Sequence, residues 1–494
     1  MLEKVDLNKK LSKKEYKEVI DKLRFKLAHL QREAKDLKIP VIVVFEGWDA
    51  AGKGSLINRM ILPLDPRGFT VHPTNPPSRE EALRPFLWRF WTKIPSEGKF
   101  AIFDRSWYGR VLVERVDDLV AKEQWQRAYD EIGQFERQLA DGGYVLVNFF
   151  LHISEKEQKK RFKKIQKNPA IAWKVTKEDW KHHRQYSKYL KAYEDMIQKT
   201  NTEYSPWIII ESTNMRFATV KIFTTMINIL TKKIALAKEA QSSKEIKIES
   251  VIPLEEISTS ILDQAELSRT LEREEYRKLL KKYQKQIHEL EHKIYVKRIP
   301  VIIQFEGWDA AGKGGNIRRL TTSMDPRGYE VIPISAPNDI EKAHHYLWRF
   351  WKEIPKAGHI TIFDRTWYGR VLVERIEGFC TENEWRRAYR EINETEEQFY
   401  NFGGVVIKFW LQISKDEQLA RFEARQNDPN KQWKITEEDW RNREKWDKYK
   451  KAVDEMLFRT STSYAPWTII ESNSKYFARI KVLKTVIDEL EKAV

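Results

Sequence analysis

A single cysteine, Cys380, stands among the 494 residues. It rules out an intramolecular disulfide framework and is compatible with a reducing compartment. Long apolar runs are also missing, and none approaches the roughly 18 residues that a membrane span requires. The opening stretch, Met1-Leu-Glu-Lys-Val-Asp6, is charged at once and lacks the apolar core of a secretory leader. These absences lead to the expectation of a soluble, cytoplasmic protein. The ten histidines show no metal-ligand spacing, and no Ser–His–Asp arrangement can be read. Acidic residues are in the minority, 73 against 89 Lys and Arg, for a net charge of +16. A basic surface expects an anionic partner, whether nucleic acid, acidic lipid or a polyphosphate-like substrate.

What is present is organised around Phe305-Glu-Gly-Trp-Asp-Ala-Ala-Gly-Lys-Gly314. An apolar run, Pro300 to Phe305, precedes it, and a segment able to start a helix follows. Gly307 to Lys313 fits G-x-x-x-x-G-K. In such a strand–turn–helix, backbone N–H groups and the helix dipole face phosphate oxygens, and the Lys adds positive charge. Gly307, Gly312 and Gly314 are therefore candidate phosphate-binding positions. The Ser/Thr that usually follows the Lys and holds Mg²⁺ is Gly314 here. A carboxylate must replace it, and Asp309 is the nearest.

The loop recurs letter for letter as Phe45 to Gly54, at an offset of 260 (305 − 45). Asp65-Pro-Arg-Gly68 meets Asp325-Pro-Arg-Gly328 at the same offset, and Trp180 meets Trp440. Phe103-Asp-Arg-Ser-Trp-Tyr-Gly-Arg110 meets Phe363-Asp-Arg-Thr-Trp-Tyr-Gly-Arg370. The chain is a duplicated domain: residues 1–236, a Lys-, Glu- and Ser-rich linker over 237–261, and residues 262–494. Continuous apolar strands are expected at 40–45, 68–72, 99–103, 144–152 and 207–211. Helices are expected at 13–37, 80–91, 123–139, 155–167, 180–199 and 217–236. Alternation of buried strands with helices predicts a parallel sheet covered on both faces. The fold class is α/β: two tandem P-loop kinase-like α/β/α sandwiches, each with a five-stranded parallel sheet and a helical lid.

Three constellations carry chemistry. The loop supplies Asp309 and Lys313. The apolar strand ending in Asp364 has the Walker B form, which sets a carboxylate beside a loop-bound Mg²⁺. Asp309 and Asp364 are thus the candidate metal ligands, and Arg365 and Arg370 offer charge to a transferring phosphoryl group. Glu374 stands four residues after Arg370, where a helix turns it toward that arginine. The third is the segment from Lys415 to Lys434, whose Arg421, Arg425, Lys431 and Lys434 suit a lid that grips a polyanion. Arg327, in a turn, is a further phosphate candidate. Trp348, Trp351, Trp367, Trp385 and Trp410 are expected mostly in the core.

With these residues in view, the chain resembles the second family of polyphosphate kinases. Its signatures are a G-x-D-x-x-G-K-G loop, an F-D-R-S/T-W-Y box and an R-F-x-x-R-x-x-D-P-x-K-x-W-K lid. All three stand in the second repeat, at Gly307–Gly314, Phe363–Tyr368 and Arg421–Lys434. The tandem arrangement, and Tyr-Gly-Arg-Val-Leu after the Walker B aspartate, resemble the branch that phosphorylates AMP. The resemblance implies transfer of the terminal phosphate of inorganic polyphosphate to AMP, giving ADP, with Mg²⁺ as cofactor. It also implies a cytoplasmic enzyme, commonly a homo-oligomer. No recognised nucleic-acid module and no membrane span can be read, so neither nucleic acid nor membrane is expected as a partner. Alternatives are an ADP- or GDP-accepting polyphosphate kinase and an ATP-dependent nucleoside monophosphate kinase.

The two halves differ in the lid. Arg425, Asp428 and Lys431 correspond to Ile165, Asn168 and Ile171. The second repeat is therefore expected to catalyse. Asp49, Lys53, Asp104 and Arg105, the counterparts of the catalytic set in the first, are expected not to.

Overall fold

The structure is a computed structural model describing residues 1–242 and 259–494. Each repeat builds one five-stranded parallel sheet. The first contains β1 (Val41–Gly47), β2 (Phe69–Pro73), β3 (Phe100–Asp104), β4 (Val145–His152) and β5 (Trp207–Glu211), in the order β2-β3-β1-β4-β5. The second contains β6 (Val301–Gly307), β7 (Tyr329–Pro333), β8 (Ile360–Asp364), β9 (Val405–Gln412) and β10 (Trp467–Glu471), in the order β10-β9-β6-β8-β7. Central strands β1 and β4 are buried at every position. That explains why they read as unbroken apolar runs rather than alternating ones.

Helices cover the sheets. In the first repeat these are α1 (Lys13–Asp36), α2 (Lys53–Ile61), α3 (Lys122–Asp141), α4 (Glu155–Gln166), α5 (Lys177–Arg184), α6 (Tyr186–Thr200) and α7 (Met215–Ser242). Their counterparts are α8 (Arg273–Lys297), α9 (Lys313–Thr321), α10 (Glu382–Asn401), α11 (Lys415–Gln426), α12 (Glu437–Glu444), α13 (Trp446–Thr460) and α14 (Lys475–Ala493). Local signals set their ends. Ser12 and Glu15 form a reciprocal capping box on α1, and Thr381 and Glu384 form one on α10.

Several boundaries depart from the sequence expectation. The helix foreseen over 80–91 is two single turns, Arg79–Ala82 and Trp88–Trp91. Pro85 between them brings no N–H and cannot continue the first turn. The helix foreseen over 180–199 breaks at Gln185, which separates α5 from α6. Helix α7 runs on to Ser242, through the expected start of the linker, and residues 243–258 of that linker lie outside the described residues. The compact units also depart from the repeat boundaries. One unit joins Met1–Pro77 and the chain from Arg89 onward with Asn338–His345. In it the Glu97 N–H donates to the Ala343 carbonyl at 2.7 Å. The other joins Ser78–Trp88 with the second-repeat chain up to Pro337 and from Tyr346 to Val494. There the Ala357 N–H donates to the Leu83 carbonyl at 2.8 Å.

Aromatic rings fill both cores. Trp351 and Trp367 are fully buried, Trp348 and Trp410 nearly so, and Trp385 is half-buried under the Arg375 guanidinium. Among the described residues no helix is long and apolar enough to cross a membrane.

Candidate active site

The parallel register decides where the chemistry gathers. Phe305 pairs with Asp364 and Gly307 with Leu411, so the end of β6, the Walker B aspartate and β9 meet at one edge of the second sheet. Open parallel sheets bind ligands at this carboxyl edge. Gly307 is required there. Its φ is +150°, and a Cβ would lie 2.7 Å from both Cβ and the carbonyl oxygen of Leu411. The loop then turns through Gly312, at φ +110°, into the first turn of α9.

Lys313 opens α9, and its Nζ donates to the carbonyls of Gly307 at 2.7 Å and Trp308 at 3.3 Å. Burial, with Arg365 beside it, pushes the ammonium below its ordinary value. The Asp309 carboxylate accepts from Arg365 Nη2 at 3.2 Å and from Asn442 Nδ2 at 2.9 Å. Arg365 sits at φ +66° and Ala310 at φ +62°. Non-glycine residues in this region cost about 1–3 kcal/mol each and cluster at functional sites. The Asp364 carboxylate accepts no hydrogen bond from a described residue, although Lys313 and Arg365 both feel its charge.

The residues around this centre were less legible. Glu306, just before Gly307, accepts from the Thr366 N–H at 2.7 Å and from Thr366 Oγ1 at 2.9 Å, and so ties the loop to the Walker B box. Burial pushes its carboxyl up to about 7, against the pull of Lys313. The repeated Phe-Glu-Gly in both halves was the available signal. Asn442, on α12, and Gln418, on α11, reach the loop from the lid. Gln418 Nε2 donates to the Asp309 carbonyl at 3.1 Å. No motif pointed to either.

Other expected residues are placed differently. Arg421 does not face outward to grip an anion. It is buried, and its nitrogens donate to Glu417 and to the carbonyls of Ala310, Ala311, Ser472 and Asn473, at 2.5 to 3.0 Å. It is a brace under the loop, because five acceptors saturate a guanidinium. Arg327 precedes β7, whereas Pro333 at the end of β7 pairs with Asp364. It therefore stands at the opposite edge of the sheet, on the order of 15 Å of strand away. There it pairs with its own neighbour, Asp325, at 2.6 Å. Arg370 and Glu374 do form the expected i,i+4 pair, at 3.2 Å, and Arg370 also lies over the Tyr346 ring. Neither is bonded to Asp309, Lys313 or Asp364. On the lid, Arg425 donates to the Lys434 carbonyl at 3.0 Å, Lys431 pairs with Asp428, and the Lys434 ammonium lies over Trp433. Trp308 stacks face to face on Trp446 at 3.7 Å, so one face of that ring is already covered.

The first repeat reproduces the loop. Lys53 Nζ donates to the Gly47 carbonyl at 2.7 Å, and Arg105 pairs with Asp49 at 2.7 Å. Asp104 closes β3 opposite Phe45. A cavity of about 680 Å³ lies above this loop, lined by Lys53, Asp104, Arg105 and Lys174 but also by Ile165 and Val175. Its lid wall is apolar where that of the second repeat carries Arg425.

A strand, a glycine turn with an inward lysine, a carboxylate at the end of the neighbouring strand and a basic lid define a P-loop phosphotransferase fold, present twice. The chain belongs to the polyphosphate kinase 2 family, whose model matches residues 10–238 and again 270–494. A polyphosphate:AMP phosphotransferase of Pseudomonas aeruginosa is 40% identical over 494 residues, covering 100% of this chain and 99% of that protein. One of the same name from Acinetobacter johnsonii is 38% identical over 468 residues, or 93% of this chain and 92% of its own. A solved structure of a polyphosphate kinase 2 from Pseudomonas aeruginosa matches with a TM-score of 0.87 at 38% identity, over 100% of this chain and 99% of that one. A GDP-polyphosphate phosphotransferase of Pseudomonas aeruginosa is 38% identical over 45% of this chain.

Proposed function

We propose that the chain transfers the terminal phosphoryl group of inorganic polyphosphate to AMP, giving ADP and a polyphosphate one unit shorter, and that the second repeat does so. The observation that carries this reading is the end-to-end match, through both repeats, to proteins named polyphosphate:AMP phosphotransferase. The second-repeat site suits the chemistry. An AMP phosphate oxygen, ionised near neutral pH, attacks the terminal phosphorus. The P–O bond to the rest of the chain breaks, and the shortened polyphosphate keeps the electron pair. No strong base is needed, so positioning and charge stabilisation carry the rate. Lys313 and Arg365 supply positive charge at the carboxyl edge of the sheet. Arg421 holds the Ala310 and Ala311 carbonyls, so that the loop's N–H groups keep one orientation. Arg425, Lys431 and Lys434 place cations on the lid.

The donor set fits Mg²⁺. Asp364 has a free carboxylate, Asp309 is close enough to share charge with the same lysine, and oxygen ligands suit this ion. When bound, Mg²⁺ would neutralise phosphate oxygens. The pair of aspartates would leave its remaining positions to phosphate and water.

The test is chromatographic. Purified chain with Mg²⁺ and long-chain polyphosphate is expected to convert AMP to ADP. Lys313→Ala should lower turnover roughly 10²-fold or more, by analogy with loss of one charge-stabilising donor. Lys53→Ala should leave turnover near that of the unmodified chain. Equal losses would move catalysis into both repeats. ATP made from ADP with AMP untouched would support the ADP-accepting reading. Transfer from ATP alone would remove polyphosphate as donor.

A further inference from the structure

The first repeat carries a side-chain cluster that the second lacks. His182 and Glu178 lie on α5, and Asp117 follows the turn Val113–Val116. One ligand atom from each comes within 4.8 Å of the others. His182 Nε2 is 3.4 Å from Asp117 Oδ2 and 3.9 Å from Glu178 Oε1. The other ring nitrogen, Nδ1, is 3.4 Å from Asp49 Oδ2. Both ring nitrogens thus face a carboxylate at the same distance, and a cation at Nε2 would replace the proton there while Nδ1–H stays toward Asp49. With the proton on Nδ1 toward Asp49, the Nε2 lone pair points at the two carboxylates. A histidine held from behind by a carboxylate is the usual arrangement of a metal-binding imidazole.

A second observation is independent of the cluster's shape. The Tyr189 hydroxyl is buried, 5% exposed as a residue, and has no hydrogen-bond partner. Its ring lies 5.1 Å from that of His182, and it feels the charges of Asp117, Asp49 and Glu178. Asp117 Oδ1 and Gln185 Oε1 are likewise buried and unpartnered. Buried polar atoms are rarely left so. The second repeat satisfies the same positions. There Lys445 stands for Gln185 and bonds Glu377 at 2.7 and 2.8 Å, and the Tyr449 hydroxyl donates to Asn442 Oδ1 at 3.3 Å. Among the described residues, Lys181 competes for the first-repeat cluster, its Nζ 2.8 Å from Asp117 Oδ2, as does a proton on His182 Nε2. The Lys181 side chain is half exposed and can leave, and Oδ1 remains available even when it stays.

We propose that Asp117, Glu178 and His182 bind one first-row divalent cation, Zn²⁺ in preference to Mg²⁺. One imidazole and two carboxylates suit that class, because nitrogen ligation selects against Mg²⁺. Water would fill the remaining positions, and the unpartnered Tyr189 hydroxyl offers it a partner. The cation ties α5, the lid helix of the first repeat, to the turn before α3. The second repeat, with Asn442 in place of His182, keeps a lid without this tether.

The experiment is equilibrium dialysis of the chelator-treated full chain against Zn²⁺ in excess Mg²⁺, with bound metal counted per chain. One tightly held Zn²⁺ is expected. His182→Asn installs the residue that the second repeat carries at the same place, and should weaken binding about 10²-fold or more. Glu178→Gln, at an exposed position, should weaken it about tenfold. The double variant Asp309→Asn/Asp364→Asn should leave this equivalent in place. Absence of tight zinc, a zinc equivalent unchanged in His182→Asn, or one lost in the Asp309/Asp364 variant would each overturn the proposal.

Discussion

The Asn442 carboxamide donates to the Asp309 carboxylate at 2.9 Å, and the Tyr449 hydroxyl donates to the opposite side of that amide at 3.3 Å. Tyr449 thereby orients the amide, so that its NH₂ faces the loop. A lid helix is in this way fastened to the carboxylate that the Walker motif would otherwise leave to Arg365. Asn442→Ala should lower kcat roughly 10- to 100-fold, the equivalent of one hydrogen bond to a charged group at about 1.5–3 kcal/mol. The KM for polyphosphate should change little. Steady-state kinetics at saturating AMP would check both.

Arg421 is predicted to act through stability. Arg421→Lys keeps the charge but cannot span five acceptors with one ammonium. Loss of these buried contacts should cost on the order of 3 kcal/mol. Thermal unfolding should show a lowered midpoint for the second-repeat transition, with the salt dependence of polyphosphate binding unchanged. A steeply reduced salt slope at unchanged stability would return Arg421 to the role of an anion grip.

Arg327→Ala should leave turnover and polyphosphate affinity within about twofold of the unmodified chain, because the residue stands at the far edge of the sheet. Arg425→Ala, on the lid, should weaken polyphosphate binding and flatten its dependence on salt. Titration of both variants at two ionic strengths separates the positions.

One pH dependence follows from the cores. In the second repeat Lys408 Nζ pairs with Glu396 at 2.8 Å, both fully buried. In the first, Asn148 replaces the lysine, and Glu136 Oε1 accepts from neutral donors, the Tyr108 hydroxyl at 2.6 Å and Trp107 Nε1 at 3.0 Å. Burial pushes the Glu136 carboxyl up to about 7. A raised carboxyl holds its proton in the folded state, so its stabilisation is full below the unfolded value of about 4.3. It is lost as pH rises through 7. The difference is roughly 4 kcal/mol between acid and alkaline limits. Glu136→Gln should therefore gain stability relative to the unmodified chain between pH 5.5 and 8. Denaturant unfolding of the first-repeat transition at both values measures it.

Phe305–Gly314 and Ile362–Asp364 declare themselves by type and order alone. A continuous apolar strand, glycines at a turn, a lysine at a helix start and a terminal aspartate are local features, and each has one structural use in this context. The repeat offset carried the same reading to Phe45–Gly54. The five-stranded parallel sheet followed, since buried strands alternating with helices have few other arrangements. The roles of arginines did not follow in this way. Arg421 and Arg425 sit four apart on one helix, yet one faces the loop carbonyls and is saturated while the other stays on the lid. Arg327 lies in a motif shared by both repeats, but parallel register puts it at the edge away from Asp364. Asn442 belongs to no motif, and Glu306, though repeated in Phe-Glu-Gly, gives no sign of its partner, because the partners lie 133 and 60 residues away. The local alphabet of loops and strands is written along the chain. Which charged group meets which is decided by sheet order and helix packing, which bring distant residues within hydrogen-bonding reach.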